Sequence, residues 1–343
     1  MTVLLLAFGG CGKQPVSIEI STPKLAADRL KGVTPGANLF FTRPALIALK
    51  EKGPADLEKR AAGYEAVLQN PKAWRELDRR ERFSAVLLTG DPAGFRSLLE
   101  HLHKSPDWTL TWLDHTSYLF ERAPAVAWTA AALDDLKAVF ASHTPDEQVT
   151  MRVQAAQRLI AIGEREAAEA LLKEAAALDA NSAAVWAASA SLHAACGRWD
   201  KAAEAADRAL AVDARYWPAV ATKADALYAF GRFSEALTLT RKLAGATPED
   251  GQNLALHARV AHAAHAYREE IEVLEKIIAM SQSRALPTGS WRVFLAQAYA
   301  ADGRPEDALA QFQAALKEPE LPPQEKSFAE KGIERIQSRM AVF

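Results

Sequence analysis

Apolar positions follow two regimes along the chain. Between residues 36 and 123 they come in short runs with β-branched or aromatic content: "ANLFFT", "FSAVLLTGD", "WTLTWL" and "TSYLFERA". Runs of that length and composition read as strands. "GPADLEKRAAGYEAVLQN", "PKAWREL" and "DPAGFRSLLEHLHK" carry helical spacing instead. The order is strand, helix, short helix, strand, helix, strand, strand, which predicts a small α/β layer domain over 36–123. Asp114-His115 separates the last two runs and reads as a hairpin turn. From Val149 onward the spacing is helical throughout, in pairs of amphipathic segments. A connecting helix is expected between the two regimes, within 124–148.

The helical half repeats itself. "AIGEREAAEALLKEAAALDA", "ACGRWDKAAEAADRALAVDA" and "AFGRFSEALTLTRKLAGATP" align on Gly163, Gly197 and Gly231, spaced by 34 residues. A further step of 34 reaches His265, and Gly303 follows 38 on, the longer step spanning "SRALPTGS". Each unit reads as two helices joined by a tight elbow. Glycine ends the first helix because a left-handed backbone suits a residue without Cβ. An aromatic follows two residues later (Trp199, Phe233, Tyr267) and can fill the gap between helices. Ala168, Ala202, Ala236 and Ala308 stand where the second helix crosses the first most closely; Glu270 replaces alanine in the fourth unit. Larger apolar residues return further along, at Leu172, Leu274 and Phe312.

This spacing and wording resemble the tetratricopeptide repeat (TPR) over residues 149–320. Trp186 takes the tryptophan position of its unit, Leu295 and Tyr299 the leucine and tyrosine positions of the last, and Pro248 the terminal proline position. The resemblance implies a helical solenoid whose first helices line a concave face. Its groove positions fall on Gln157, Asp225, Tyr228, Arg259, His262 and Gln297. Thr144-Pro145-Asp146-Glu147 has the form of a capping box, and Thr247-Pro248-Glu249-Asp250 promises a similar helix start. Residues 321–343 read as the polar-faced helix that caps such an array. The fold class expected is therefore α+β multidomain, a small α/β domain followed by an all-α TPR-type solenoid.

The middle region resembles the soluble α/β domain that follows the membrane-spanning part of some bacterial membrane glycosyltransferases. The phrases "LFFTRP", "YEAVLQNPKAWRELDRRERFSAVLL" and "WTLTWLDHTSYLFER" carry that resemblance. In those enzymes the catalytic carboxylates belong to the membrane part, so the resemblance implies no activity here. Thr42 precedes Arg43 where an acidic residue is usual.

Charge and cysteine content narrow the function classes. A net charge of -2 gives no basic field for nucleic acid or an anionic membrane. Two cysteines, Cys11 and Cys196, are too few for a disulfide framework or a thiolate metal site. Residues 1–11 carry an apolar run, Val3 to Phe8, then Gly9-Gly10-Cys11, which resembles a bacterial lipobox with Cys11 as the lipidated residue. No Lys or Arg precedes the run, and the run is short. Residues 12–35 read as a tether. Lipidation would place the protein on the periplasmic side of the cell envelope; without it a cytoplasmic location is the alternative.

Candidate chemistry is sparse. Nucleophile and metalloprotease motifs are absent from the sequence. Asp91-Pro92 reads as an N-cap and first helical residue rather than an anion site. His262 and His265 lie three apart and could in principle share a metal, but no cysteine stands near, so His257, His262 and His265 are read as packing or solvated side chains. No metal, cofactor or catalytic residue is expected. The functional expectation is a non-enzymatic scaffold that binds a protein or peptide along the solenoid face. The alternatives are an accessory subunit of a glycan or polysaccharide assembly enzyme and a cytoplasmic TPR adaptor.

Overall fold

The structure, a computed structural model of the chain, describes residues 39–45, 57–65, 67–123, 125, 127–129, 133–284, 286–318 and 321–340. Cys11, the lipobox-like segment and the 12–35 tether lie outside the described residues. The fold is a small mixed sheet with helices, followed along the chain by an all-helical array of TPR type. Contacts divide it into two compact units, Met1–Arg198 with Arg208–Tyr216, and Trp199–Asp207 with Trp217–Phe343.

In the first unit, β1 (Leu39–Phe41) is followed by α1 (Leu57–Glu65), α2 (Pro71–Glu81), β2 (Ala85–Thr89), α3 (Arg96–Lys104), β3 (Trp108–Leu113) and β4 (Ser117–Arg122). The sheet order is β1-β2-β4-β3. β1 runs parallel to β2, while β2 pairs antiparallel with β4 and β4 with β3. Every residue of β2 is buried, as the unbroken apolar run "AVLL" requires of an interior strand. Phe40 stacks on Tyr64 at 4.5 Å, and Trp74 lies parallel to Phe83 at 5.6 Å, so α1 and α2 cover one face with aromatic rings.

Asp114 makes the β3–β4 turn, as its sequence position implies. Its Oδ1 accepts from the Thr116 and Ser117 backbone N–H groups at 2.7 and 2.8 Å, and its Oδ2 accepts from Trp112 Nε1 at 3.1 Å. The expected helix start at Asp91-Pro92 differs. Pro92–Phe95 forms a 3-10 turn closed by Gly94 N–H on the Asp91 carbonyl at 3.0 Å, and the α-helix starts at Arg96. The chain tightens there before it can open into α-helical geometry.

α4 (Leu133–Ala141) leads to α5 (Pro145–Ile162), α6 (Arg165–Leu178) and α7 (Ala183–Ala195). Thr144 and Glu147 form the reciprocal capping box at the start of α5. The α/β layer and these helices share one hydrophobic cluster, from Phe40 to Leu192. Arg158 of α5 fastens them. It is 6% exposed, and its Nη2 donates to the carbonyls of Gly90 and Thr116, both at 2.6 Å. Tyr118 returns a hydroxyl to the Arg158 carbonyl at 2.9 Å. The two guanidinium contacts satisfy carbonyls at the end of β2 and just before β4; a buried orphan such as the Thr116 carbonyl would cost roughly 1–3 kcal/mol.

α8 (Trp199–Val212) is divided between the two units at Asp207. The second unit continues with α9 (Trp217–Ala229), α10 (Phe233–Ala246), α11 (Gly251–Ala263), α12 (Tyr267–Ser283), α13 (Gly289–Ala301), α14 (Pro305–Leu316) and α15 (Pro323–Met340). Each of α9 to α14 packs against its successor, the nesting that neighbouring amphipathic hairpins need to bury their apolar faces. The elbow glycines hold positive φ, 73° at Gly231 and 79° at Gly303. Ala202, Ala236 and Ala308 are fully buried. At the last hairpin Gly332 of α15 lies against the Phe312 ring, where an added Cβ would come within 2.6 Å.

The start of α11 departs from expectation. Asp250, not Thr247, is its N-cap, accepting from the N–H groups of Gln252 and Asn253 at 2.9 and 3.1 Å. Thr247 instead closes α10, donating its hydroxyl to the Leu243 carbonyl at 2.8 Å. A carboxylate facing a helix N-terminus outcompetes a hydroxyl three residues earlier. The start of α13 uses a distant residue for the same purpose. Glu318 accepts from the backbone N–H groups of Thr288 and Gly289, both at 2.9 Å.

Candidate binding face

Residues one repeat apart share a helix face. Asp225 and Arg259 are such a pair, and so are Tyr228 and His262; the first of each lies on α9 and the second on α11. α9 packs against α11, and the side chains meet. Arg259 Nη2 donates to Asp225 Oδ1, and its guanidinium lies 4.9 Å from the centre of the Tyr228 ring. Tyr228 in turn meets Phe233 of α10 at 5.4 Å. Burial raises the Asp225 pKa, with Arg259 pulling against it. The pair is half-exposed, so it contributes about 0–1 kcal/mol and acts mainly to hold two side chains in place. Arg259 thus meets a carboxylate that the chain itself supplies.

His262 completes this face with different chemistry. Its Nδ1 lies 3.1 and 3.0 Å from the two carboxylate oxygens of Glu270 on α12, and its ring meets Tyr267 at 6.0 Å. Half of the His262 side chain is exposed, whereas Glu270 is 4% exposed. Burial pushes the Glu270 carboxyl above the usual glutamate range, and the imidazole opposes that shift. In the repeat pattern Glu270 stands out only as a departure from alanine. The signal that would have paired it is the eight-residue step from His262, which spans one elbow.

The other sequence candidates are spread out. Gln157 is exposed on α5 in the first unit. Gln297 is half-buried on α13, and among the described residues no hydrogen bond ties it to Asp225, Tyr228, Arg259 or His262. Phe294, one turn before Gln297, escaped the sequence reading; it is 45% exposed, while Thr222 and Leu256 at the matching positions of the two preceding repeats are each 8% exposed. Of the remaining histidines, His257 is buried and hydrogen-bonded to Thr240 Oγ1 at 2.9 Å, and burial lowers its pKa. His265 meets the Tyr267 hydroxyl at 2.6 Å. An open cleft of about 260 Å³ adjoins this elbow, lined by His265, Tyr267, Arg268, Glu269 and Asp302.

No protein-family model matches the chain, and no curated protein sequence does. Solved structures of TPR proteins are similar to part of it. YrrB, described as a TPR protein with an unusual peptide-binding site, aligns at 15% identity over 59% of this chain and 100% of its own, with a TM-score of 0.47. MamA from Desulfovibrio magneticus RS-1 aligns at 18% identity over 49% of this chain and 93% of its own, with a TM-score of 0.43. A thermophilic TPR protein from Thermus thermophilus, TTC0263, aligns at 18% identity over 54% of this chain and 98% of its own, with a TM-score of 0.41.

Proposed function

We propose that the protein is a non-enzymatic scaffold that binds a protein or peptide partner along the face formed by α9 and α11, first helices of repeats in its second unit. The observation that carries this reading is the convergence of Asp225, Tyr228 and Arg259, with His262 one turn beyond Arg259, on adjacent first helices. An aromatic ring, a guanidinium, a carboxylate and an imidazole on one partly exposed surface offer stacking and directional hydrogen bonds. That is the equipment of a recognition surface, and extended repeat faces are well suited to it.

The proposed setting is the cell envelope, with Cys11 lipidated and residues 12–35 serving as a tether. The apolar run before Gly9-Gly10-Cys11 supports this part of the reading. A tri-acylated cysteine would hold the chain at a membrane surface, since each buried methylene contributes roughly 0.8 kcal/mol. Among the described residues no helix is long and apolar enough to cross a membrane.

Affinity capture from a native envelope extract tests the binding face. The wild-type chain is expected to retain a specific partner, and the Tyr228→Ala/Arg259→Ala double variant to lose it. Equal recovery by both would defeat the reading. For the anchor, Cys11→Ser is expected to release the protein from the membrane fraction, and continued membrane association would exclude lipidation as the cause.

A further inference from the structure

Glu270 stands at the crossing of the fourth hairpin, where the other hairpins place Ala168, Ala202, Ala236 and Ala308. Those alanines are fully buried and Glu270 is nearly so, at 4% exposed. A carboxylate without a partner in such a place is strongly disfavoured. Its partner comes from the first helix. His262 offers Nδ1 to both carboxylate oxygens, at 3.1 and 3.0 Å, and half of its side chain reaches solvent. An ionised carboxylate only accepts hydrogen bonds, so the imidazole nitrogen facing it must carry the proton. The opposite nitrogen, Nε2, is then left as an acceptor.

Other charges around this elbow are engaged elsewhere. Arg241 of α10 binds Glu269 through Nε and Nη2 at 2.8 and 2.6 Å, and the buried His257 of α11 also faces Glu269, at 3.9 Å. Arg259 of α11 holds Asp225. Asp302 beyond α13 faces Arg268 at 4.0 Å, and Tyr299 of α13 donates to Glu275 at 2.5 Å. Among the described residues, His262 is the charged or titratable group that acts on Glu270.

We propose that Glu270 is a positioning residue for His262: it fixes the imidazole as the Nδ1–H tautomer and turns Nε2 outward, so the fourth repeat presents a hydrogen-bond acceptor on the partner-binding face. The partner group this tautomer takes is an N–H or O–H donor. When the His262–Glu270 dyad takes up a proton from solvent, Nε2 becomes a donor and the preference inverts. This inference rests on the binding face described above for its biological use, but its chemistry is intrinsic to the chain.

The test is long-range proton–nitrogen NMR on the full-length protein near pH 8, above the ordinary imidazole range. His262 signals are assigned by their loss in His262→Asn. Wild-type His262 is expected to be predominantly Nδ1–H, and Glu270→Ala to shift it to predominantly Nε2–H, the form free imidazole side chains favour. Alanine at this crossing reproduces the other hairpins, so that variant keeps the fold. Predominantly Nε2–H His262 in the wild type, or the same tautomer in both proteins, overturns the proposal. No partner is needed, so failure here is distinct from failure of the capture experiment. With a captured partner in hand, retention by wild type that changes between neutral and mildly acidic pH, and does not change in Glu270→Ala, adds support; identical pH dependence in both counts against it.

Discussion

At the third elbow Gly231 turns the chain at φ 73° and Ala236 sits fully buried at the helix crossing; at the fourth, His265 turns it at 57° and Glu270 stands at the crossing. Tyr228 and Phe233 pack at 5.4 Å in the third; their counterparts His262 and Tyr267 pack at 6.0 Å in the fourth. The backbone path is alike, and the chemistry beneath it has changed. Glycine and alanine solve the elbow by having little side chain. His265 accepts a strained backbone, and Glu270 is tolerated because His262 reaches back to it. The comparison teaches that a repeat position is defined by what must be satisfied there, not by residue type.

The largest effects follow from importing or orphaning the carboxylate. Ala236→Glu puts a buried carboxylate beneath Tyr228, which has no imidazole to offer, and is expected to cost about 3–5 kcal/mol in denaturant unfolding near neutral pH. His262→Ala leaves Glu270 buried and unpaired, with an expected loss of about 3 kcal/mol. Glu270→Ala removes the buried charge and leaves an imidazole that water can solvate, so it is expected to be neutral or stabilising. If His262→Ala and Glu270→Ala cost the same, the dyad is not what the fourth elbow depends on.

Backbone effects are smaller. Nothing lies within 4 Å of a Cβ added at Gly231, so Gly231→Ala isolates the left-handed strain, an expected loss of about 1–2 kcal/mol. His265→Gly relieves the same strain against a higher unfolded-state entropy and is expected to gain about 0.5–1 kcal/mol. Thermal unfolding of the two variants side by side checks the opposite signs.

The subtlest difference is in pH dependence. Burial raises the Glu270 pKa in the folded chain above its unfolded value, with His262 acting against it. The folded state therefore binds that proton more tightly than the unfolded one. Its stabilising effect is complete below the ordinary glutamate value and is lost as pH rises through the folded pKa. Wild type should gain stability relative to Glu270→Ala on mild acidification. A flat difference across that window would show that the carboxyl titrates as it does in the unfolded chain.

Much of this was legible in the sequence. The spacing from Gly163 to Gly231 located the elbows, the apolar runs ordered the strands, and Thr144 to Glu147 announced their capping box. These are local signals, each fixed by a period or by a few neighbours. What stayed hidden depends on contacts between distant residues. Arg158 reads as one polar residue on a helix, yet it closes the end of a sheet whose carbonyls at Gly90 and Thr116 lie far from it in sequence. Glu318 caps a helix that begins 29 residues earlier. Within the candidate face, the 34-residue period is what sets Asp225 beside Arg259 and Tyr228 in line with His262. It did not show that Arg259 was already engaged or that Glu270 lay under His262, because a buried carboxylate looks like any other glutamate until its solvent is gone.

The most direct test of the account is unfolding of Tyr228→His/Ala236→Glu beside Ala236→Glu near neutral pH, since the double variant writes the fourth elbow's dyad into the third. If the imidazole–carboxylate pair is a working substitute for the aromatic–alanine pair, the second substitution recovers most of the stability lost in the first. A double variant no more stable than Ala236→Glu alone would contradict it.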